Sequence, residues 1–286
     1  MSAVALEAKA QVVADLRRRL RVAEGGFGDA ALRRHVPTGI APLDEALPGG
    51  GLPAGALVEL LSAEGGGAWS FACIAARAAA RDGGFVAWID AAGDLYPPAA
   101  VALGLDPARL LVVRPRSAAD ALWAFDQAIR SRAVAAAIVA LNRLSTPVTR
   151  RLQLAAEIGE GVALLLRDER EARIPSAAAV RLRVRPAPSA VLLREGASDE
   201  LREGASGEGG LRRFAVEAMR ARGGAGAGAV LVEIDDRSGA IAASSSLASS
   251  SPIFSENDHA RGVLPRLPAA FRGPRPARRV QRSASA

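Results

Sequence analysis

A glycine-rich stretch between an apolar run and a helical pattern is the place where this sequence could bind phosphate. The apolar run at residues 57–61 predicts a strand, and Ser62-Ala63-Glu64-Gly65-Gly66-Gly67-Ala68-Trp69 follows it directly. A strand, a glycine-rich loop and a helix in this order form the phosphate-binding loop of many proteins that bind nucleoside triphosphates. In that loop the backbone amides hold the phosphates.

The side chains of a working loop are missing from this stretch. Such a loop has glycine at both ends of a four-residue spacer, then a lysine for the β- and γ-phosphates and a serine or threonine for magnesium. Those positions hold Ser62, Gly67, Ala68 and Trp69. The sequence therefore predicts a tight strand-to-helix turn and no cofactor. Weak anion binding by the amides of residues 65–67 stays open as an alternative.

The loop lies near the start of a regular alternation of strands and helices. Short apolar runs predict strands at residues 57–61, 86–90, 110–114, 136–141 and 162–167. Alanine- and leucine-rich stretches predict helices at 70–81, 97–103, 118–131 and 148–158. This alternation is typical of βαβ crossovers, so we predict an α/β fold whose mostly parallel sheet is covered by helices.

Two single residues in this region are interpreted as structural. Asp90 ends a predicted strand without an adjacent acid, and we expect it to cap a turn. The spacing of Trp123 with Leu122, Phe125 and Ile129 is that of a core-facing helix, so we expect Trp123 to pack in the core.

The pattern changes after Pro175, where apolar residues alternate with arginines. The apolar set is Val180, Leu182 and Val184, and the basic set is Arg181, Arg183 and Arg185. Period-two alternation predicts a half-buried strand with an arginine ladder facing solvent. Further strands are predicted at residues 191–194, 212–217 and 230–235, which would extend the main sheet in antiparallel fashion.

Composition narrows the class of protein. The 286 residues carry a formal net charge of +7, which favours contact with DNA or an acidic protein surface. Cys73 is the one cysteine and cannot form an internal disulfide, and His35 and His259 are too far apart in sequence to suggest a metal site. No apolar signal segment or membrane-spanning run occurs, so we expect a cytoplasmic protein.

The two ends of the chain are candidate interaction segments. Residues 3–23 predict an amphipathic helix that either packs on its own core or binds a partner. Residues 244–286 are rich in Ser, Pro and Arg and predict a disordered or partner-ordered tail. We therefore divide the chain into an N-terminal helix and linker (1–28), a core (36–243) and a tail (244–286).

Several residues are candidates for partner binding. The pair at 150–151 is interpreted first as surface charges, with interface anchors and then DNA-backbone contacts as the alternatives. The other candidates lie in the two end segments. The candidates are Leu16, Arg17, Leu20, Arg150, Arg151, Arg272, Arg275, Arg278 and Arg279.

Several further stretches, together with the loop, resemble the RecA family. Thr38-Gly39-Ile40-Ala41-Pro42-Leu43-Asp44 and Gly49-Gly50-Gly51-Leu52-Pro53-Ala54-Gly55 are similar to that family's entry to the nucleotide core. Trp88-Ile89-Asp90-Ala91-Ala92 resembles the strand end that carries the family's catalytic glutamate, which would fall on Ala92. The family's Walker B aspartate would fall on Ala140. The resemblance implies a RecA-like core in which three parts of the ATPase machinery are absent.

Within that superfamily the chain resembles the ImuA family from about residue 36 to 235. These are RecA-like, often SulA-like, accessory proteins of bacterial mutagenic translesion synthesis. The similar strings are Leu47-Pro48-Gly49-Gly50-Gly51-Leu52-Pro53, Trp88-Ile89-Asp90, Leu95-Tyr96-Pro97-Pro98, Leu103-Gly104-Leu105-Asp106, Asp120-Ala121-Leu122-Trp123 and Arg150-Arg151-Leu152-Gln153-Leu154-Ala155-Ala156-Glu157.

The ImuA resemblance implies a non-enzymatic adaptor that is induced in the SOS response and joins the nucleoid on DNA damage. Its implied partners are RecA, the inactive polymerase relative ImuB and a mutagenic C-family DNA polymerase. Contact with DNA, direct or through these partners, stays open. The alternatives are an ATP-dependent recombinase-like enzyme and a SulA-type inhibitor that binds the cell-division protein FtsZ.

Overall fold

The computed structural model describes residues 34–63, 65–187, 211–221, 229–235 and 240–245. The predicted helix at 3–23, the predicted strand at 191–194 and the tail beyond 245 lie outside these residues. The described strands are β1 (His35–Val36), β2 (Leu52–Pro53), β3 (Ala56–Ser62), β4 (Phe85–Ile89), β5 (Leu110–Val113), β6 (Val134–Ala140), β7 (Val162–Asp168), β8 (Val180–Pro186), β9 (Leu211–Ala221), β10 (Ala229–Asp235) and β11 (Ile241–Ser245). The described α-helices are α1 (Ala41–Ala46), α2 (Ala68–Ala79), α3 (Pro97–Ala102), α4 (Ala118–Arg130) and α5 (Thr146–Gly159).

The main sheet is parallel in the part that the βαβ pattern predicts. Its strand order is β11-β10-β9-β8-β3-β7-β6-β4-β5, and β1 pairs with β2 in a separate antiparallel ribbon. All pairs from β8 to β5 are parallel. The predicted α/β class is therefore confirmed, and the predicted element bounds differ from the observed ones by only a few residues.

Two apolar clusters cover the two faces of this sheet. Successive residues of β3 point to opposite faces, so Val58 packs with α2 and α3 while Leu57 packs with α4 and α5. Phe71 of α2 is fully buried in the first cluster, and Phe125 of α4 is fully buried in the second. Burial on both faces explains why the central strands β3, β6 and β7 are almost continuously apolar.

The C-terminal extension is antiparallel, but it begins one strand later than expected. Strand β8 runs parallel to β3, and the direction reverses only between β8 and β9. Strand β11 was not anticipated, and it includes Ser244 and Ser245, beyond the predicted core boundary at 243. Because β8 lies between β9 and β3 inside the sheet, its arginines are less exposed than predicted.

The prediction that the arginines of β8 face solvent is wrong. Arg181 is only 8% exposed, and its Nε donates to Glu59 Oε2 at 2.8 Å. Arg167 of β7 donates from Nη1 to Glu59 Oε1 at 3.0 Å, and Ser176 also donates to this oxygen. Buried charges persist when they are paired and hydrogen-bonded, which is how the polar face of β8 is accommodated inside the protein.

The other two arginines of β8 are partly covered as well. Arg185 pairs with Glu169, which lies in the short 3-10 helix Glu169–Arg173 after β7. Arg183 lies 3.4 Å from the same carboxylate and 3.2 Å from Glu217 of β9. The three arginines thus bind β8 to its surroundings through ion pairs.

Trp123 does not pack in the core as the helical spacing predicted. It is 66% exposed on α4, whereas Phe125 and Ile129 of the same helix are buried. Leu122 packs partly against the core, so the buried stripe of α4 runs through positions 121, 122, 125 and 129. This stripe leaves Trp123 on the opposite side of the helix.

Candidate functional site

The glycine-rich loop is a compact turn between β3 and α2. The amide of Gly66 donates to the carbonyl of Ala63 at 3.0 Å, which closes the turn. Gly67 precedes the first helical residue with φ 92°, a conformation that glycine adopts without strain. A Cβ at Gly67 would lie 2.9 Å from the ring of Phe214 in β9, so the loop packs directly on the antiparallel extension.

The two residues after Gly67, at the start of α2, pack their side chains against the protein interior. Ala68 is buried, and the indole of Trp69 stacks on Trp88 of β4 with ring centroids 5.0 Å apart and planes 7° apart. In a phosphate-binding loop these positions carry a cation and a metal-binding hydroxyl. Here they carry a methyl group and an aromatic ring held against the sheet.

An arginine of the antiparallel extension contacts the first turn of α2. Arg212 of β9 donates from Nη1 to the hydroxyl of Ser70 at 2.9 Å. Ser70 is therefore hydrogen-bonded within the chain. Phe214 and Arg212 were missed by sequence reasoning because they lie about 145 residues away in the chain and no local pattern links them to the loop.

The turn after β4 is organised by Asp90, as predicted. Its buried carboxylate accepts the amides of Asp94 at 3.1 Å and Leu95 at 3.3 Å, and Arg114 donates to its second oxygen at 3.1 Å. Ala92 lies exposed within this turn. The one carboxylate at the end of β4 is thus engaged in holding the turn.

The loop, Ala92 and Ala140 share one edge of the sheet. Ala140 ends β6, which lies between β4 and β7, and β7 lies between β6 and β3. Because these strands are parallel, their carboxyl ends meet at the same edge, where α/β proteins bind ligands. At this edge Ala68, Ala92 and Ala140 contribute neither charge nor hydrogen-bonding side chains.

Known proteins match this chain over its parallel core. A family model described as the RecA N-terminal domain matches residues 26–182, which is more than half of the chain. The chain belongs to the RecA family. RecA of a Picosynechococcus strain is 36% identical over 136 residues, covering 47% of this chain and 38% of that protein. RecA of a Nostoc strain is 40% identical over 136 residues, covering 47% of this chain and 37% of that protein. The chain thus spans little more than a third of these relatives.

A solved RecA-like structure supports the same fold. The RadB recombinase superimposes with a TM-score of 0.51 at 16% sequence identity, and the match covers 72% of this chain and 98% of RadB. At that identity the likeness concerns the fold alone. The RecA-like architecture expected from the sequence is therefore confirmed.

The candidate partner-binding residues of this RecA-family chain fall into two groups. Arg150 and Arg151 are exposed on α5, and Arg151 Nε lies 3.4 Å from Asp126 Oδ1 of α4. The others lie outside the described residues, namely Leu16, Arg17, Leu20, Arg272, Arg275, Arg278 and Arg279. Only the first group can be placed on the fold.

Three features of the described residues concern other kinds of site. Among them, no group of three His, Cys, Asp or Glu side chains could hold a metal ion. Within the same residues, no helix has both the length and the apolar character needed to cross a bilayer. Cys73, on α2, is buried, and this burial raises the pKa of its thiol to about 12.

Proposed function

We propose that this chain is a non-enzymatic, RecA-like adaptor of mutagenic translesion synthesis, which binds RecA and an assembly of ImuB with a C-family polymerase. One observation carries the proposal. The motif resemblance assigns the family's ATPase groups to Ala68, Ala92 and Ala140, and these three residues lie at one edge of the sheet. In this proposal a chain without lysine, aspartate and glutamate at these places acts through its surfaces.

The packing around the loop supports this reading. The indole of Trp69 lies against Trp88, and the ring of Phe214 lies against Gly67. These contacts use the first turn of α2 to join the parallel core to β9. The loop therefore has a structural use that is independent of phosphate, which is expected of a site whose chemistry has been lost.

The choice of partners rests on the resemblance to ImuA. The strings that carry it follow each other across the parallel core, from the ribbon strand β2 to helix α5. The net charge of +7 is consistent with partners that are acidic or coated with DNA. By binding RecA, such an adaptor would recruit the polymerase assembly or limit the growth of RecA filaments.

The second candidate function is that of an ATP-dependent recombinase-like enzyme. Membership of the RecA family favours it, because relatives at 36–40% identity are RecA proteins. It requires other residues to replace the lysine and the two acids. DNA-stimulated phosphate release by the purified chain is its direct signature.

Co-purification tests the adaptor function. The full chain is mixed with purified RecA and with purified ImuB, each with and without ATP and single-stranded DNA, and complexes are separated by size exclusion. We expect a complex with both proteins, and we expect ATP to act only through RecA. The absence of both complexes would contradict the adaptor function.

Phosphate release separates the two candidate functions. With single-stranded DNA and magnesium-ATP, we expect the chain to release phosphate at the rate of buffer alone, because no side chain at residues 68, 92 or 140 can polarise the γ-phosphate or activate water. RecA in the same buffer is the positive control. A DNA-dependent rate above background that follows the chain through two purification steps would support the recombinase-like enzyme instead.

A further inference from the structure

Strand β5 forms one edge of the main sheet, and apolar side chains on one of its faces are exposed. Leu111 and Val113 are in register with Ala87 and Ile89 of β4, so the four side chains lie on the same face. Ala87 and Ile89 are buried in the cluster under α4 and α5. Leu111 and Val113 are 45% and 40% exposed. The apolar surface of this face therefore continues one strand beyond its helical cover.

The described helices on this face end at α4. Helix α5 contacts β3, and α4 contacts β6 and β4. A helix is about 10 Å wide and neighbouring strands are about 4.8 Å apart, so one helix covers about two strands. The described residues thus leave a place for one more helix, above β5 and beside α4. We call it the β5 place.

The side of α4 that faces the β5 place has small side chains. Asp126 of α4 points toward α5, because its Oδ1 lies 3.4 Å from Arg151 Nε. Ala124 precedes Asp126 by two residues, or about 200° around the helix, so it points away from α5 and toward β5. Ala128 lies one turn farther on the same side. Small side chains at this position let a neighbouring helix approach α4 closely.

The described part of the chain begins near the amino end of β5. Arg34 Nη1 lies 3.6 Å from Asp82 Oδ2, in the connection from α2 to β4. A Cβ at the next residue, Gly83, would lie 4.0 Å from Nη1 of Arg109, which directly precedes β5. Residues 24–33 precede Arg34, and when extended they span about 33 Å. A segment that ends at residue 23 is therefore within reach of the β5 place.

The predicted helix at residues 3–23 has the pattern that this place requires. A helix of this length spans about 31 Å, which is enough to cover β5 and the side of α4. One of its faces is apolar, and the tail at the other end of the chain is interrupted by prolines and has no helical period. The apolar face contains Leu6, Val13, Leu16 and Leu20.

We propose that residues 3–23 dock as a helix in the β5 place of their own chain, with Leu16 and Leu20 against Leu111 and Val113. A short flexible link gives the segment an effective concentration in the millimolar range, well above that of a second copy in dilute solution. Docking covers Leu16 and Leu20 and leaves Arg17 in solvent. The inference goes beyond the adaptor function and does not depend on it.

Disulfide trapping in the full-length chain tests the docking. In a Cys73→Ala background, Leu16→Cys is combined with Leu111→Cys, so the chain has two thiols. Mild oxidation should form an intramolecular disulfide at a rate that does not change with protein concentration. The matched control pairs Leu16→Cys with Ile158→Cys, because Ile158 is 53% exposed on α5, with α4 between it and β5. This pair should react about tenfold more slowly or less.

Limited trypsin digestion tests the same contact without new thiols. Trypsin cuts after the arginines at residues 17–19 and 21, and cutting follows the population of the undocked helix. Leu111→Glu and Leu16→Glu should each speed these cuts by about tenfold, whereas Ile158→Glu should not. Leu16→Glu keeps the described core unchanged, and equal urea unfolding of Leu111→Glu and the wild type shows that this variant is folded.

Three results would overturn the proposal. Equal disulfide rates for the two cysteine pairs, or equal cutting of all variants, show that residues 3–23 have no preferred place on β5. A faster disulfide with Ile158→Cys places the segment on the far side of α5. A disulfide between two chains, formed faster at higher protein concentration, shows that the segment covers a second copy.

Discussion

Cys73 shows at the scale of one residue that the middle of α2 is removed from solvent. Its thiol is buried, and this burial raises the pKa from 9.0 to about 12, although the nearby Arg212 lowers it. The folded protein therefore keeps the neutral thiol at pH values where the unfolded chain has begun to release the proton. A raised pKa stabilises the folded state fully below pH 9, and that stabilisation is lost between about pH 9 and 12.

We predict from this shift that Cys73 reacts very slowly with thiol reagents in the folded protein at pH 8 and at the normal rate in denaturant. We also expect the free energy of unfolding to fall above pH 9 by roughly 1 kcal/mol per pH unit more than in Cys73→Ala. Urea titrations of both proteins from pH 8 to 11 measure this difference. Parallel curves for the two proteins would show that the thiol titrates normally.

Strand β8 shows at the scale of an element what an ion-pair network does inside this sheet. Glu59 of β3 accepts from Arg167 of β7 and Arg181 of β8, and so joins three neighbouring strands. Arg167 also pairs with Glu171, in the turn that leads from β7 toward β8. The network thereby fixes both the register of β8 and the connection that precedes it.

We predict that Glu59→Gln lowers the free energy of unfolding by about 3–5 kcal/mol, because it leaves two buried arginines without their shared carboxylate. Urea unfolding followed by circular dichroism measures the loss. Glu160→Gln is the matched control, since the Arg132–Glu160 pair is mostly exposed and such pairs contribute less than about 1 kcal/mol. If both variants lose the same small amount, the network is not a determinant of stability.

The parallel core could be predicted from sequence because the apolar periodicity of each strand and helix is contained in a short stretch of residues. β8 shows where that reasoning stops. Alternation of Val180 and Leu182 with Arg181 correctly predicts a strand, but burial of Arg181 depends on Glu59, which lies 122 residues away. Trp123 shows the same limit on a helix. The periodicity predicts that one side of the helix is buried, but it does not tell which apolar residue at the margin of that side is exposed. At the loop, the missing side chains were visible in the sequence, while the contacts of Phe214 and Arg212 were not.

At the scale of the whole molecule, positive charge is concentrated in the last part of the sequence. Residues 248–286 contain seven arginines and two acidic residues, which accounts for most of the net charge of +7. A segment of this composition attracts an acidic or DNA-coated partner through charge, and such attraction weakens as salt is added. In the proposed adaptor it would draw RecA on DNA toward the α/β core.

We predict that deletion of residues 248–286 weakens binding to RecA on single-stranded DNA by about tenfold at low salt and by less at high salt, because salt already screens the arginines. Interferometry at 50 and 200 mM salt measures both effects. A chain of full length with the seven tail arginines changed to glutamine is the control for length, and it should match the deletion if charge is the cause. Unchanged affinity of the deletion at both salt concentrations would place RecA binding on the folded core instead. Loss in the deletion but not in the glutamine chain would assign binding to the apolar and proline residues of the tail.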